Sequence, residues 1–216
     1  MISDNTAERI YTSIILILVL SLIIFFDFIL AYVLILIGVL SILEFLQITK
    51  KIFKNRILKD LLNFFVITYI FSFCCLFFFF SNFLQTKIIL YFILGGCIAS
   101  DIGGFIFGKT LKGPKITKIS PNKTYSGAFG SIIFTCFILF MLFYFFNFDL
   151  EMRIIFIAFI TSVACQVGDL FFSFLKRKAK IKDTGKILPG HGGLLDRIDG
   201  ILFGVPIGSL SILFLY

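Results

Sequence analysis

The sequence predicts an all-α polytopic integral membrane protein of about seven transmembrane helices, with a polar site at the cytoplasmic ends of the C-terminal helices. Three observations predict it. Apolar residues make up 59% of the 216, Phe alone supplying 32, while only 15% are charged; soluble domains run at roughly 45–50% apolar and 25% charged. The apolar residues gather into runs near 10–26, 28–48, 61–80, 83–107, 126–147, 152–175 and 198–215, each close to the roughly 20 residues that cross a bilayer as a helix. The mean hydropathy of +1.07 leaves little chain for a separate soluble domain, so any chemistry must sit in connections or at helix ends.

Taken in order, the first run follows an N-terminus with no long basic region and no small-residue cleavage motif, and is expected to be a retained span rather than a signal peptide. Almost nothing but Asp27 separates it from the second run, which predicts a tight helical hairpin. Gly, Pro and Lys cluster in the connections 108–125 and 176–197, which hold most of the polar sequence.

The positive charges supply the third observation. Segment 49–60 carries Lys50, Lys51, Lys54, Arg56 and Lys59; segment 108–125 carries Lys109, Lys112, Lys115, Lys118 and Lys123; segment 176–197 carries Lys176, Arg177, Lys178, Lys180, Lys182, Lys186 and Arg197. Strict alternation of seven spans puts all three on one face, joined by Arg9, against Lys87 and Arg153 on the other. Cytoplasmic connections retain Lys and Arg during insertion, so this face is the cytoplasmic one. A basic rim beside anionic lipid accounts for the net charge of +8 without a nucleic-acid partner. Cys74, Cys75, Cys97, Cys136 and Cys165 all lie in apolar runs with no CxxC spacing, and are expected to be core or lipid-facing residues rather than disulfides or zinc ligands.

Ionisable groups at membrane depth are expensive and point to function. Glu44, Asp101, Asp169 and the pair Asp196/Asp199 fall toward the cytoplasmic ends of their spans. The i, i+3 spacing of Asp196 and Asp199 puts both carboxylates on one face of a helix opening the last span. Such acids suit Mg²⁺, which takes one or two carboxylates with waters and substrate phosphates; Asp169 would add a third from a neighbouring helix. The alternative is that they pair with Arg197, Arg177 or Lys176, and spacing leaves both open.

Two connections have the character of phosphate sites. Leu188 to Gly193 reads Leu-Pro-Gly-His-Gly-Gly, a turn whose bare glycines let backbone N–H groups approach an anion; the same turn would also serve simply to enter a helix. His191, the one histidine, could protonate a leaving phosphate, orient a metal-bound water or cap the helix. Lys123, Thr124 and the amides around Ser126 and Gly127 open the fifth span, where the positive end of a helix favours anions; the alternative is a surface loop whose lysines touch lipid headgroups.

The 27-residue stretch from Ser173 to Asp199 follows S-x-x-K-R-x₄-K-D-x-G-x₃-P-G-H-G-G-x-x-D-R-x-D at every fixed position, and so resembles the signature of phosphatidate cytidylyltransferases (CDP-diacylglycerol synthases). Asp101-Ile-Gly-Gly-Phe105 and Ile119-Ser-Pro-Asn-Lys-Thr-Tyr-Ser-Gly127 look like that family's D-T-G-A-Y and I-S-P-K-K-T-W-E-G segments. The resemblance covers roughly 95–199. It departs at Ser126, where the family usually has Glu, and in the chain's shortness.

The resemblance implies transfer of CMP from CTP to phosphatidate, giving CDP-diacylglycerol and diphosphate, with Mg²⁺ required and two metal sites. It implies Asp169, Asp196 and Asp199 as metal ligands. Lys182 and Asp183 would shape the nucleotide site, and Lys176, Arg177 and Arg197 would neutralise phosphate. His191, Gly192 and Gly193 would line the phosphate pocket, with Ser120, Lys123 and Thr124 on the CTP phosphates and Asp101 closing the site. On this reading 1–216 is one transmembrane domain, with N-terminal helices in 1–60 and a catalytic region in 83–216 holding the signature loop 173–199. The resemblance also suggests a homodimer, and the small size fits a bacterial inner membrane. Asp196→Asn or Asp199→Asn should then abolish turnover with folding intact. A related enzyme using another lipid acceptor, polyprenol kinase-like or CDP-archaeol synthase-like, is the nearest alternative. A transporter is the remote one, since no inverted repeat is recognisable. The D-G-x-x-A-R pattern of CDP-alcohol phosphotransferases is absent.

Overall fold

The computed structural model describes residues 4–117, 120, 123–148, 152–185, 187 and 192–215. Among them the chain is helical throughout, with no strand: α1 (Asp4–Phe25), α2 (Asp27–Ile52), α3 (Arg56–Ser81), α4 (Leu84–Leu111), α5 (Tyr125–Phe145), α6 (Met152–Lys178), α7 (Leu195–Ile198) and α8 (Ile201–Leu215). Each of the seven apolar runs lies on a helix. Among the described residues, the five from α2 to α6 are long and apolar enough to cross a membrane. The apolar part of α1 is the shorter Ile14–Phe25, and α8 has 15 residues, about 22 Å at 1.5 Å per residue. On α3, Phe64, Phe65, Phe71 and Phe79 are exposed, a surface suited to lipid rather than water.

The chain divides into two compact units, one of Met1–Phe83 with Leu175–Ile198, the other of Leu84–Phe174 with Asp199–Tyr216. The signature stretch is therefore shared: Ser173, Phe174 and Asp199 belong to the second unit, and the residues between to the first.

In the first unit the expected hairpin is present, because the single extended residue Phe26 (φ −124°, ψ 104°) separates α1 from α2. Helices α2 and α3 approach closely at Gly38, where an added Cβ would lie 3.3 Å from Cys74 Sγ. A buried hydrogen bond from Thr49 Oγ1 to Asn63 Oδ1 (2.8 Å) ties their ends near the connection. Asn55 caps α3 by accepting from Ile57 N, the usual use of Asn at a helix start.

In the second unit α4 and α5 meet along bare glycines. A Cβ at Gly103 would lie 2.6 Å from the Gly130 carbonyl oxygen, one at Gly127 would lie 2.8 Å from that of Gly104, and one at Gly130 would run into the Phe107 side chain. Small residues are how membrane helices bring their backbones together. At the other end of this pair Phe92 stacks edge-on with Phe143 and Phe146, centroids 5.2 and 5.0 Å away, over the buried Leu139, Ile154 and Ala158. All five cysteines are free thiols, with Cys97 and Cys165 buried, as their apolar settings predict.

Asp101-Ile-Gly-Gly-Phe105 is part of α4, which runs on to Leu111; its glycines lie against α5 and need no turn. One expectation changes. Asp196 and Asp199 do not share a helix face, because α7 stops at Ile198 and α8 starts at Ile201. The break falls at Asp199–Gly200: Asp199 Oδ1 accepts from the Gly200 N–H (3.0 Å), and the Gly200 carbonyl opens the α8 ladder by accepting from Gly204 N (2.8 Å).

Candidate active site

A cavity of about 270 Å³ opens among α4, α5 and α6 of the second unit, lined by Asp101, Lys123, Thr124, Gln166 and Asp169, with Ser100 and Ser131 beside them. Hydroxyls and one amide stitch its walls together. Ser131 donates to the Ser100 carbonyl (2.7 Å), the Ser100 and Ser162 hydroxyls lie 3.1 Å apart, and Gln166 Nε2 donates to Ser162 Oγ (3.2 Å) and the Ala128 carbonyl (3.3 Å). In apolar surroundings such bonds hold polar side chains in one arrangement.

The segment before α5 folds back on itself to form the cavity's edge. Lys115 and Thr124 bridge antiparallel, with Ile116 N donating to the Lys123 carbonyl (2.9 Å) and Tyr125 N to the Pro114 carbonyl (3.0 Å). Ser120 N donates to Thr117 Oγ1 (3.3 Å), and the Ser120 carbonyl accepts from Lys123 N (3.1 Å). Thr124 is the N-cap of α5, its hydroxyl accepting from Gly127 N (3.1 Å). The amides of Tyr125 and Gly127 are thus engaged within the fold. What this helix start offers an anion is its dipole and the Lys123 ammonium.

That ammonium lies 3.0 Å from Asp169 Oδ2. Its nitrogen is buried but makes no aligned hydrogen bond, so charge alone joins the pair. Asp169 owes its position to two glycines. A Cβ on Gly168 would strike the Asp199 carbonyl and one on Gly200 would come 3.0 Å from Asp169 Oδ1, so the Asp169 carboxylate lies against the turn that carries Asp199. Asp101 and Asp169 thus give one cavity two hard oxygen donors. That set fits Mg²⁺, which completes its shell with waters and substrate phosphates. Among the described residues no three His, Cys, Asp or Glu side chains are grouped to hold a metal by themselves.

In the first unit Asp196 is a hub. Its Oδ1 accepts from Lys176 Nζ (2.7 Å), and its Oδ2 from Thr184 N (2.7 Å) and Gly193 N (3.2 Å), with the Thr184 hydroxyl oxygen 3.0 Å away. Burial alone would raise its carboxyl, but the Lys176 ammonium and these N–H donors outweigh it and hold the group below its ordinary value. Of the two readings left open for this acid, the ion pair with Lys176 is the one formed here. Gly193 N–H serves Asp196 rather than standing open as a phosphate nest. Gly192 has φ +88°, a left-handed backbone that L side chains rarely adopt. Lys182, Asp183, Arg177 and Arg197 are exposed. His191 lies outside the described residues.

The family model described as the cytidylyltransferase family matches residues 51–215. The chain belongs to that family. Among curated relatives it is similar to the phosphatidate cytidylyltransferases of Helicobacter pylori (40% identical, matching 50% of this chain and 40% of that one), Rickettsia felis (40%; 56% of each) and Staphylococcus haemolyticus (37%; 53% and 45%). The chain therefore spans about half the length of the curated relatives it matches.

Two features of this cytidylyltransferase-family chain stand apart from its motifs. Ser126, the departure from K-T-W-E-G, has its hydroxyl 3.0 Å from Thr124 Oγ1, and an added Cβ on Gly113 would lie 3.0 Å from its oxygen; the position belongs to the α5 cap. Glu44 receives three hydrogen bonds from the signature stretch. Its intramembrane charge marks it in the sequence, but its partners are about 150 residues away and nothing in the sequence names them. Gln166, Ser100 and Ser131 carry no motif, and only helix packing makes them neighbours.

Proposed function

We propose that this chain is a phosphatidate cytidylyltransferase, forming CDP-diacylglycerol and diphosphate from CTP and phosphatidate. The observation that carries the reading is the polar cavity of Asp101, Lys123, Thr124 and Asp169 set into a unit of apolar helices. The complete 173–199 signature and 37–44% identity to enzymes of that name support it.

In the reaction an oxygen of the phosphatidate phosphate attacks the α-phosphorus of CTP, forming one P–O bond as the bond to the β-phosphate breaks and diphosphate leaves with the electron pair. The nucleophile is already an anion at neutral pH, so no strong base is required. The difficulty is bringing anions together, which calls for positioning and charge neutralisation. Lys123, at the positive end of α5 with Thr124 and Ser120, is the cation proposed for the CTP phosphates. Lys176, Arg177 and Arg197 supply charge for phosphatidate or the leaving diphosphate, and arginine does so with two parallel hydrogen bonds. Lys182, Asp183, His191, Gly192 and Gly193 complete the proposed phosphate and nucleotide pocket. Asp169, Asp196 and Asp199 are the carboxylates proposed for Mg²⁺, with Asp101 lining the same cavity as Asp169, and Lys176 is the group Asp196 would release on binding. When bound, Mg²⁺ would neutralise phosphate charge.

The proposal extends to topology. All seven apolar helices would cross a bacterial inner membrane with the basic connections in the cytoplasm, where CTP is reached from water and phosphatidate from the inner leaflet. A homodimer is the proposed assembly.

The test is conversion of phosphatidate by the detergent-purified chain with CTP, with and without Mg²⁺, following lipid and diphosphate. CDP-diacylglycerol with equimolar diphosphate, lost on chelation, is expected. Turnover of a lipid alcohol to a phosphorylated lipid and CDP would overturn the acceptor assignment.

A further inference from the structure

The Glu44 carboxylate is 1% exposed and lies in α2, outside every motif of the site. Its Oε1 accepts from Leu194 N (3.0 Å), and its Oε2 from Leu195 N (2.8 Å) and Thr184 Oγ1 (2.8 Å). These partners flank both ends of the stretch 185–193, so one side chain pins the turn after Lys182 and Asp183 to the start of α7, which carries Asp196 and Arg197. The fold is shaped around it. A Cβ on Gly185 would strike Glu44 Oε1, and one on Gly193 would come 2.7 Å from Oε2. Thr184, 4% exposed, joins this acid to the next, since its hydroxyl also lies 3.0 Å from Asp196 Oδ2.

A buried carboxylate is costly unless its oxygens are satisfied. A hydrophobic residue could fill the same space on α2. Retaining an acid here makes sense if the backbone it grips must be held in one place.

We propose that Glu44 is a positioning residue of the transfer reaction: by fixing Thr184, Leu194 and Leu195 it sets the placement of Lys182, Asp183, Asp196 and Arg197. The inference rests on the cytidylyltransferase reading of those residues. Glu44 is assigned no contact with substrate and acts through the Thr184 hydroxyl and the Leu194 and Leu195 amides that it holds.

The experiment uses the full chain in detergent with Glu44→Gln, Glu44→Asp and Thr184→Val. Gln has one oxygen and an amide N–H₂ where three donors converge, so it sets donor against donor. Asp keeps both acceptors on a shorter arm, and Val removes one hydroxyl. A misplacement of about 1 Å far from the chemistry can lower a rate about 100-fold. Glu44→Gln is therefore expected to lower kcat at least about tenfold with the KM for CTP changed less than about threefold, the pattern of interactions lost in the transition state. Glu44→Asp should recover part of that loss, and Thr184→Val should fall between. Hydrogen exchange should quicken at Leu194 and Leu195 in Glu44→Gln while α3 and α5 keep their protection, which separates a loosened turn from a failed fold. Wild-type kcat in Glu44→Gln, or equal loss in the Gln and Asp variants, would overturn the proposal. An inactive wild-type chain would instead overturn the parent reading, and unchanged exchange in Glu44→Gln would then overturn this one independently.

Discussion

Replacing Asp196 by Asn removes one charge from a pair that water scarcely reaches. Lys176 Nζ lies 2.7 Å from Asp196 Oδ1, and the two side chains are 12% and 9% exposed. Asparagine can satisfy Thr184 N and Gly193 N with its oxygen, which turns its N–H₂ toward the ammonium, so a donor faces a donor where Lys176 had a carboxylate 2.7 Å away. Breaking one side of a buried pair costs up to about 3–5 kcal/mol. Lys176→Met should relieve much of that loss in the double variant, a coupling of about 1–3 kcal/mol for residues in contact. With Cys74, Cys75 and Cys136, which are not buried, replaced by Ala, Cys97 and Cys165 serve as the probe, because each is 1% exposed and reacts with a thiol dye as the helices open. Dye-monitored thermal unfolding in detergent should rank wild type above the double variant and both above Asp196→Asn. The pH dependence has a definite sign. The folded carboxyl titrates below its unfolded value of about 3.9, so its stabilisation is whole above that value and is lost as pH falls through the lower, folded one. The gap between wild type and Asp196→Asn should therefore hold from pH 7 to about 5 and narrow below about 4. Identical unfolding of the two proteins, or strict additivity in the double variant, would refute the argument. On this geometry Asp196→Asn is expected to loosen the fold as well as to lower turnover, where the sequence alone led to the expectation of an intact fold.

Four further predictions rest on single contacts and on the proposed topology. Thr124→Ala removes the α5 cap and should lower stability by about 1 kcal/mol, read by the same thiol assay, with a higher KM for CTP if the helix start also receives phosphate. Gly103→Ala puts a Cβ 2.5 Å from that of Phe134 and 2.6 Å from the Gly130 oxygen; overpacking of this kind costs about 1–3 kcal/mol and should appear as loss of monodisperse protein, whereas an unchanged elution profile and melting curve would deny the close α4–α5 contact. Lys123→Met leaves Asp169 without its ammonium and should lower turnover at least about tenfold, the scale of one lost charge-assisted contact. Lys87→Ala, on the face opposite the basic connections in the proposed topology, should leave turnover unchanged. Equal damage from the two would argue against that topology.

Much of the fold was legible because a bilayer restricts the options. Apolar runs near 20 residues must become helices to satisfy their own backbone, and the structure puts a helix on every one. The cavity acids Asp101 and Asp169 were legible for the related reason that charge in an apolar run is rarely idle. What failed was the local reading of Asp196 and Asp199. Their i, i+3 spacing suits a helix, but the Asp199–Gly200 break overrides it, since Gly200 yields to the Asp169 carboxylate and Asp199 caps its neighbour's N–H.

Composition, charge placement and the 173–199 motif thus determined, without coordinates, an α-helical membrane chain and singled out the polar residues proposed for its chemistry. Those properties are local or additive, and linear order preserves them. Which acid meets which base was decided only by tertiary structure. The pairing of Lys123 with Asp169 and of Lys176 with Asp196, and the grip of Glu44 on Thr184, Leu194 and Leu195, join residues 20 to 151 positions apart. Hydrogen bonds and ion pairs act over about 3 Å, so such partners exist only once glycines and hydroxyls have let the helices close upon one another.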